Sequence, residues 1–274
     1  MNNTPIDSRR AGQQNEQMIV SMLRRHGRLS QTELCRLAGI GSSTASTIVA
    51  RLREKGMNIE TRGRSDRRGP KPILLELNPD YCYVIAVEIN PSYLCVGIFN
   101  YLSELTDQSR IVLGADRSVE HVIESLEHMI HESLDRNDLS DQTIRHAGFT
   151  LSGSISRDGH VSLSSPMGWS NVSLKDKLNR VFNFPATVYN NRVRLMAEFE
   201  EDSELSARNI LYLNLADGVG STLYMDGRLV SGSTGRYGEI GHIVVDPKGP
   251  QCGCGHFGFP HDGQQGCRNE HNQK

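Results

Sequence analysis

The sequence predicts an α/β protein: a winged helix-turn-helix in residues 1–80, followed by a two-lobed α/β domain whose second lobe is incomplete. Residues 1–80 hold short amphipathic segments and carry 14 Lys and Arg against 8 Asp and Glu, a net charge of +6. The remaining chain carries 16 against 24, a net charge of −8, and its strand and helix pattern starts to repeat near residue 209. A basic module beside an acidic one indicates nucleic acid as the partner of the first, because cations near phosphates give sequence-independent affinity. The alternative is an unevenly charged, solvated surface.

The composition is that of a globular protein. Of 274 residues 37% are hydrophobic, and the mean hydropathy is −0.44, which excludes a largely disordered chain and a collagen-like repeat. No apolar run approaches the roughly 20 residues of a membrane helix. The N-terminus lacks the apolar segment of a secretory signal, so we expect a cytoplasmic protein with no membrane partner. Six cysteines are too sparse for a disulfide framework.

Two short helices precede the element that we expect to contact DNA. Asn15 caps a first helix, which ends at Gly27. The stretch Ser30-Gln31-Thr32-Glu33 has the spacing of a capping box, in which the Ser and Glu side chains satisfy free backbone N–H groups. It opens a second helix that ends at Gly39.

The third helix is predicted to be the recognition helix of a helix-turn-helix. It opens at Ser42 or Ser43, after the turn Gly39-Ile40-Gly41, and ends at Gly56. Its apolar positions are spaced to face a core, whereas small hydroxyl residues near its N-terminus suit close approach to bases and phosphates. The predicted DNA contacts on this helix are Ser42, Ser43, Thr44, Ser46, Thr47 and Arg51.

A basic β-hairpin is predicted to follow as the wing. The chain is extended near residues 58–62, turns through GRSDRRGP and is extended again at 73–75. Cations on such a loop can follow the phosphates or enter a narrow minor groove. Three-helix units also occur as protein-binding modules, but the wing and the charge of +6 favour DNA. The predicted wing contacts are Arg62, Arg64, Arg67, Arg68 and Lys71.

The larger part has the element order βββαβαβα, and then begins the same order again. Two such lobes facing each other form the ribonuclease H-like architecture of actin, sugar kinases and the heat-shock ATPases. We assign residues 81–205 to the first lobe, 206–258 to the start of the second, and 259–274 to a polar tail. The predicted elements are strands at 84–89, 94–100 and 109–113, a helix at 118–135, a strand at 144–151, a helix at 173–182, a strand at 186–190, a helix through Val193, Met196 and Phe199, and strands at 209–216, 221–225 and 228–231.

The second lobe has its three strands but no room for its helices. A sheet without its covering helices exposes an apolar face, at a cost of about 25 cal/mol per Å². We therefore expect a truncated chain, for example by a frameshift in the coding sequence. The alternative is that a partner subunit or the first lobe covers the sheet.

Specific motifs identify a family resemblance. Gly238-Glu239-Ile240-Gly241-His242 is followed by Cys252-Gly253-Cys254-Gly255, and the stretches at 151–155, 166–169 and 217–220 lie at matching places. Over residues 15–258 the chain resembles the ROK family of repressors and sugar kinases, and its N-terminal module resembles that of the transcriptional regulators among them. The resemblance implies a repressor of carbohydrate genes that binds a DNA operator and responds to a sugar or sugar phosphate.

The resemblance also implies a sugar site, with changes that remove kinase chemistry. Its residues would be Asn190, Asn191, Glu239 and His242, while the family's further Glu beyond the zinc motif is missing. The kinases have an Asp as general base where this chain has Asn191, and an amide cannot accept a proton at neutral pH. Their glycine-rich phosphate loop is replaced here by residues 88–93, EINPSY, which leave little room to cradle phosphate. We therefore expect no enzyme activity and no bound ATP.

A structural zinc site is the last feature that the resemblance implies. His242, Cys252 and Cys254 match three of the four N/S ligands that tetrahedral zinc prefers. The fourth position is Phe259, which cannot ligate. Either a donor of the tail replaces it (His256, His261 or Cys267), or three ligands and water bind zinc more weakly.

Three functional readings remain open at this point. The first is the repressor, which in the intact family is a homodimer or tetramer; in this chain we expect DNA binding to persist while effector response and dimerisation are impaired. The second is an ATP-dependent sugar kinase with an accessory N-terminal domain. The third is a non-functional remnant that folds poorly.

Overall fold

The computed structural model describes residues 8–62, 73–190, 209–215, 219–226, 228–230, 240–249 and 257–258. The chain divides into two compact units: residues 1–84 together with 98–106, and residues 85–97 together with 107–274. The predicted helices and strands that the structure describes occur in the predicted order, with further short strands between them. The first helix begins at Ser8, so Asn15 lies inside it and the prediction that Asn15 caps it was wrong. None of the described helices has the length and apolar character needed to span a bilayer.

The first unit contains three helices and a small antiparallel sheet. The elements are α1 (Ser8–His26), β1 (Leu29–Ser30), α2 (Gln31–Ala38), α3 (Ser42–Glu54), β2 (Asn58–Arg62) and β3 (Ile73–Leu77). The sheet order is β1-β3-β2, and the register of the hairpin places Arg62 opposite Ile73 and Asn58 opposite Leu77. The two strands that flank the predicted wing therefore pair as expected.

The helix α2 begins and ends as its sequence predicts. The backbone N–H of Glu33 donates to Ser30 Oγ at 3.3 Å, and the backbone N–H of Ser30 donates to the Glu33 carboxylate at 2.7 Å. The Ser30 hydroxyl also donates to the Glu33 carboxylate, at 2.7 Å. This hydrogen bond, followed by the one from the Ser30 backbone N–H, holds the pKa of Glu33 below its ordinary value of 4.5. At the other end Gly39 adopts φ 63°, the left-handed conformation that a glycine accepts without strain.

Replacing Ser30 with alanine is expected to lower the free energy of unfolding by about 1 kcal/mol at pH 7, because it removes the N-cap of α2. The folded-state pKa of Glu33 lies below the unfolded value, so the carboxylate contributes its stability above pH 4.5 and loses it as the pH falls below that value. Urea titrations at pH 7 and pH 3.5 should show the difference between variant and parent narrowing at the lower pH. Thr32→Ala, at an exposed position of the same helix, is the control and should leave stability within about 0.5 kcal/mol.

The core of the first unit joins its helices to its sheet. Ile19 of α1, Leu34 of α2 and Leu52 of α3 have no exposed surface, and Leu75 and Leu77 of β3 complete the cluster. The spacing of these residues explains why each helix buries one side. Tyr101 and Leu102, from the segment 98–106, pack against the same cluster as partly buried residues.

The second unit is built on a five-stranded sheet with two helices. The elements are β4 (Tyr83–Asn90), β5 (Tyr93–Phe99), β6 (Leu105–Val112), α4 (Val119–Arg136), β7 (Ile144–Leu151), α5 (Leu174–Val181) and β11 (Ala186–Asn190). The strand order in the sheet is β11-β7-β4-β5-β6. β7 and β11 are parallel, and Asn190 lies opposite Leu151 at their ends. Lys177 of α5 and Glu120 of α4 form an ion pair at 2.9 Å.

A small sheet that the sequence did not predict follows β7. β8 (Ser154–Ile155), β9 (Val161–Ser164) and β10 (Trp169–Val172) pair antiparallel in the order β10-β9-β8. These strands have two to four residues, too few for alternation of apolar and polar side chains to stand out from a turn. β6 begins at Leu105, four residues before the predicted start at 109. The prediction missed these residues because the polar stretch 106–109 shows no alternation of apolar and polar side chains.

The start of the second lobe is a three-stranded antiparallel sheet, as predicted. β12 (Ile210–Leu215), β13 (Val219–Met225) and β14 (Arg228–Leu229) pair in sequence order. A single helical turn at Ile240–His242 contacts β13. Leu211 is 60% exposed and Leu213 is 50% exposed. The predicted helix at 193–199 lies outside the described residues.

Candidate nucleic-acid interface and sugar site

The helix α3 turns its small hydroxyl residues to solvent. Its apolar residues Ala45, Ile48, Val49 and Leu52 are buried in the core of the first unit. The opposite side is therefore exposed over the first two turns, and the helix begins at Gly41 without a side-chain cap. The exposed residues include every hydroxyl that the sequence predicts to contact DNA: Ser42, Ser43, Thr44, Ser46 and Thr47.

A side chain of α2 fixes the first turn of α3. Gln31 Nε2 donates to Ser46 Oγ at 2.5 Å and to the Ser42 carbonyl at 3.3 Å. Ser46 Oγ in turn donates to the Ser42 carbonyl at 2.9 Å. No pattern in the sequence singles out Gln31, because its partners lie 11 and 15 positions further along the chain, in another helix.

Arg51 lies on the side of α3 that meets α1. Its guanidinium is 3.5 Å from the Glu16 carboxylate, which also pairs with Lys55. The Glu16 side chain is 16% exposed, whereas the Arg51 side chain is 47% exposed. Glu16 thus receives both cations near the C-terminal end of α3 and joins that end to α1.

Most of the predicted wing contacts lie outside the described residues. These are Arg64, Arg67, Arg68 and Lys71. The backbone of Arg62 ends β2, and the described part of its hairpin leads into the loop that holds those four cations.

Of the four residues predicted to bind the sugar, Asn190 and His242 lie within the described part of the chain. Asn190 ends β11 beside the end of β7, and its side-chain N–H donates to the carbonyl of Gly153, which follows β7. His242 ends the helical turn that contacts β13 and is exposed. Asn191 and Glu239 lie outside the described residues. Carboxyl ends of neighbouring parallel strands are a common place for ligands in α/β sheets, which agrees with the placing of Asn190.

The segment that stands in place of the kinases' phosphate loop is a tight turn between β4 and β5. The backbone N–H of Ser92 donates to Asn90 Oδ1 at 2.9 Å, and Pro91 has no N–H to offer. Tyr93 donates its hydroxyl to the Glu88 carboxylate at 3.0 Å, and Arg110 stacks on the Tyr93 ring at 3.7 Å. The backbone amides at 91 and 92 are therefore not offered to a phosphate.

Of the predicted zinc ligands, only His242 lies within the described residues. Among the residues that the structure describes, no three His, Cys, Asp or Glu side chains cluster as a metal site. The Gly258 carbonyl accepts the backbone N–H of Val245 at 2.8 Å and of Asp246 at 3.2 Å. Cys252, Cys254, Phe259 and the tail lie outside the described residues.

Known proteins resemble both parts of the chain. The model of the ROK family matches residues 84–261, and the model of the MarR family matches residues 16–69. The xylose repressor of Caldicellulosiruptor bescii is 25% identical over 236 residues, which are 84% of this chain and 58% of that protein. The xylose repressor of Bacillus subtilis is 25% identical over 251 residues, 89% of this chain and 64% of that protein. The chain thus spans about three fifths of the length of these relatives.

Solved structures share the fold. A ROK family transcriptional regulator, a homologue of the Escherichia coli Mlc protein, superposes with a TM-score of 0.70 at 21% identity, covering 96% of this chain and 69% of its own. A ROK family glucokinase from Streptomyces griseus, in complex with glucose and AMPPNP, superposes with a TM-score of 0.56 at 20% identity, covering 65% of this chain and 55% of its own. The predicted fold class, a winged helix-turn-helix followed by a sugar-kinase-like α/β domain, is confirmed. Since the family model matches well over half of the sequence, the chain belongs to the ROK family.

Proposed function

We propose that the chain is a sugar-responsive, DNA-binding transcriptional repressor. The observation that carries the proposal is the helix α3, whose N-terminal hydroxyl residues are exposed and which contacts the first strand of a hairpin whose loop sequence is basic. The xylose repressors that it resembles support the same role. In such a protein the recognition helix would contact base edges in the major groove, and the wing would contact the phosphates of the DNA backbone. Such a protein acts on the chromosome, so we place it in the cytoplasm.

The predicted DNA contacts divide into two groups under this proposal. Ser42, Ser43, Thr44, Ser46 and Thr47 would meet base edges and adjacent phosphates. Arg51, with its ion pair to Glu16, would steady α3 and reach a phosphate only with the exposed part of its guanidinium. The cations Arg62, Arg64, Arg67, Arg68 and Lys71 would supply the salt-dependent part of the affinity.

The test is selection of DNA from a random pool by the full-length chain, followed by measurement of the dissociation constant for the selected site. We expect Ser43→Asp to weaken binding about 100-fold, because it places a negative charge against the phosphates. Ser21→Asp makes the same charge change at an exposed position of α1 and should weaken binding less than about threefold. Failure to select any sequence, or equal losses in the two variants, would refute the proposal.

The effector is proposed to be a sugar or sugar phosphate bound at Asn190, Asn191, Glu239 and His242. The Asn190 amide is already oriented by the Gly153 carbonyl, and a fixed amide hydrogen-bonds a sugar hydroxyl without further ordering. Xylose, glucose and N-acetylglucosamine, with their phosphates, are the compounds to screen by thermal shift of the full chain. A shift that Asn190→Ala abolishes would support the site, and no shift with any of them would contradict it.

Zinc is proposed as a structural ion held by His242, Cys252 and Cys254. One imidazole and two thiolates are ligands that zinc prefers, and they match three of the four ligand positions that the family resemblance implies. Metal analysis of the purified chain tests this proposal, because Cys252→Ser should lower the zinc content to a background level.

Sugar kinase activity is the competing function within the same family. A glucokinase of Halalkalibacterium halodurans is 25% identical over 179 residues, 64% of this chain. The turn between β4 and β5 argues against it, because Pro91 lacks an N–H and Asn90 engages the N–H of Ser92. We propose that the chain hydrolyses and transfers no ATP; a coupled ADP assay with the sugars named above would overturn this if it showed turnover.

A further inference from the structure

The side of α3 that points away from the core carries four small residues. Ser43, Ser46, Thr47 and Ala50 occupy positions i, i+3, i+4 and i+7, which lie along one side of a helix. All four are exposed, and the buried residues Ile48 and Leu52 lie on the other side. This stripe is the part of α3 that a base edge would meet first if the helix enters a major groove.

Two hydroxyls of the stripe have already used their hydrogen atoms. Ser46 Oγ donates to the Ser42 carbonyl at 2.9 Å, and Thr47 Oγ1 donates to the Ser43 carbonyl at 3.0 Å. A hydroxyl has one hydrogen and two lone pairs, so each of them keeps only acceptor capacity. Back-bonding of this kind is common for Ser and Thr in helices.

Gln31 restricts Ser46 further. Its Nε2 donates to Ser46 Oγ at 2.5 Å and occupies one of the two lone pairs. The same Nε2 contacts the Ser42 carbonyl, so the hydroxyl and its acceptor are held from one side chain. If the Ser46 hydroxyl turned its hydrogen toward solvent, its hydrogen bond to the Ser42 carbonyl would be lost.

The base edges of the major groove differ in what they offer to an acceptor. Adenine presents the N6 amino group and cytosine presents the N4 amino group as donors, whereas guanine O6 and N7 and thymine O4 are acceptors. We propose that Ser46 and Thr47 are specificity-determining residues that accept hydrogen bonds from the amino groups of adenine or cytosine and disfavour guanine and thymine at the bases they meet. This inference rests on the proposed DNA-binding function and adds which chemical groups the helix reads.

Ser43 provides an internal contrast. Within the described parts of the chain its hydroxyl has no hydrogen-bond partner, so it keeps a donor for a phosphate or a base acceptor. Ser43→Ala should therefore weaken binding without changing the preference for amino groups. It is the matched control for Ser46→Ala, since both variants remove one exposed hydroxyl from the same side of α3.

The experiment uses the full-length chain and the DNA site selected from a random pool. Single adenines in the site are replaced by purine, which lacks the N6 amino group, and single cytosines by the analogue without the N4 amino group. We expect binding by the parent chain to weaken about fivefold to tenfold at one or two positions, as for the loss of one hydrogen bond. Ser46→Ala or Thr47→Val should abolish that sensitivity at its own position, and Ser43→Ala should retain it.

The outcomes separate this inference from the function on which it rests. A chain that selects no DNA overturns both. A chain that selects a site, but whose sensitivity to amino-group removal is the same in Ser46→Ala, Thr47→Val and the parent, overturns the inference alone. Circular dichroism melts of the variants should match the parent, because the substituted side chains are exposed.

Discussion

Replacing Gly153 with alanine is expected to lower the free energy of unfolding of the second unit by about 2 to 6 kcal/mol. Gly153 has φ 149°, a conformation that side chains rarely adopt. An added Cβ would lie 2.5 Å from the Leu163 carbonyl oxygen and 3.1 Å from Ser164 Cα, both backbone atoms that cannot swing aside. The Ser164 hydroxyl also donates to the Ser152 carbonyl at 2.6 Å, which fixes β9 against this loop.

The same substitution should disturb the proposed sugar site, because the Gly153 carbonyl is the acceptor for the Asn190 amide. Denaturant titration monitored by the fluorescence of Trp169 would measure the loss. Gly148→Ala is the control: its Cβ would meet only the Tyr189 ring, at 3.9 Å, an ordinary contact. Equal stability of Gly153→Ala and Gly148→Ala would show that the loop does not have the geometry described.

The substitution Leu52→Ala is expected to destabilise the first unit by about 2 to 5 kcal/mol. Leu52 of α3 has no exposed surface and belongs to the cluster that joins α1, α2 and β3. The substitution removes three buried carbons, so the folded state loses the free energy gained by burying them. It also leaves a cavity in the core against which the proposed recognition helix packs. We therefore expect loss of DNA binding at temperatures where the second unit is still folded.

Thermal melts by circular dichroism and DNA binding at 20 and 37 °C would test this expectation. Leu37→Ala is the control, since Leu37 lies on α2 with 40% of its surface exposed and should cost less than about 1 kcal/mol. Retention of full DNA affinity at 37 °C by Leu52→Ala would contradict the role of this core in holding α3.

The hydrogen bonds of the α3 hydroxyls cannot be predicted from the residue types alone. The sequence predicts DNA contacts at Ser42, Ser43, Thr44, Ser46 and Thr47 because small hydroxyl residues follow a glycine turn. That reasoning treats Ser43 and Ser46 alike, although one keeps its donor and the other gives it to Ser42. The difference depends on the helical turn and on Gln31, which comes from another helix.

Local signals in the sequence determined the elements whose ends are set by their own side chains. The capping box at Ser30, the left-handed Gly39 and the apolar spacing of α3 and α4 depend on residues within four positions of one another, so pattern alone placed them. The family followed from motifs with fixed spacing. The tertiary structure decided what depends on distant partners: the small sheet β8–β10, the pairing of Arg51 with Glu16, and the contribution of residues 98–106 to the first unit. These contacts join residues far apart in the chain, where no local propensity specifies which partner a side chain meets.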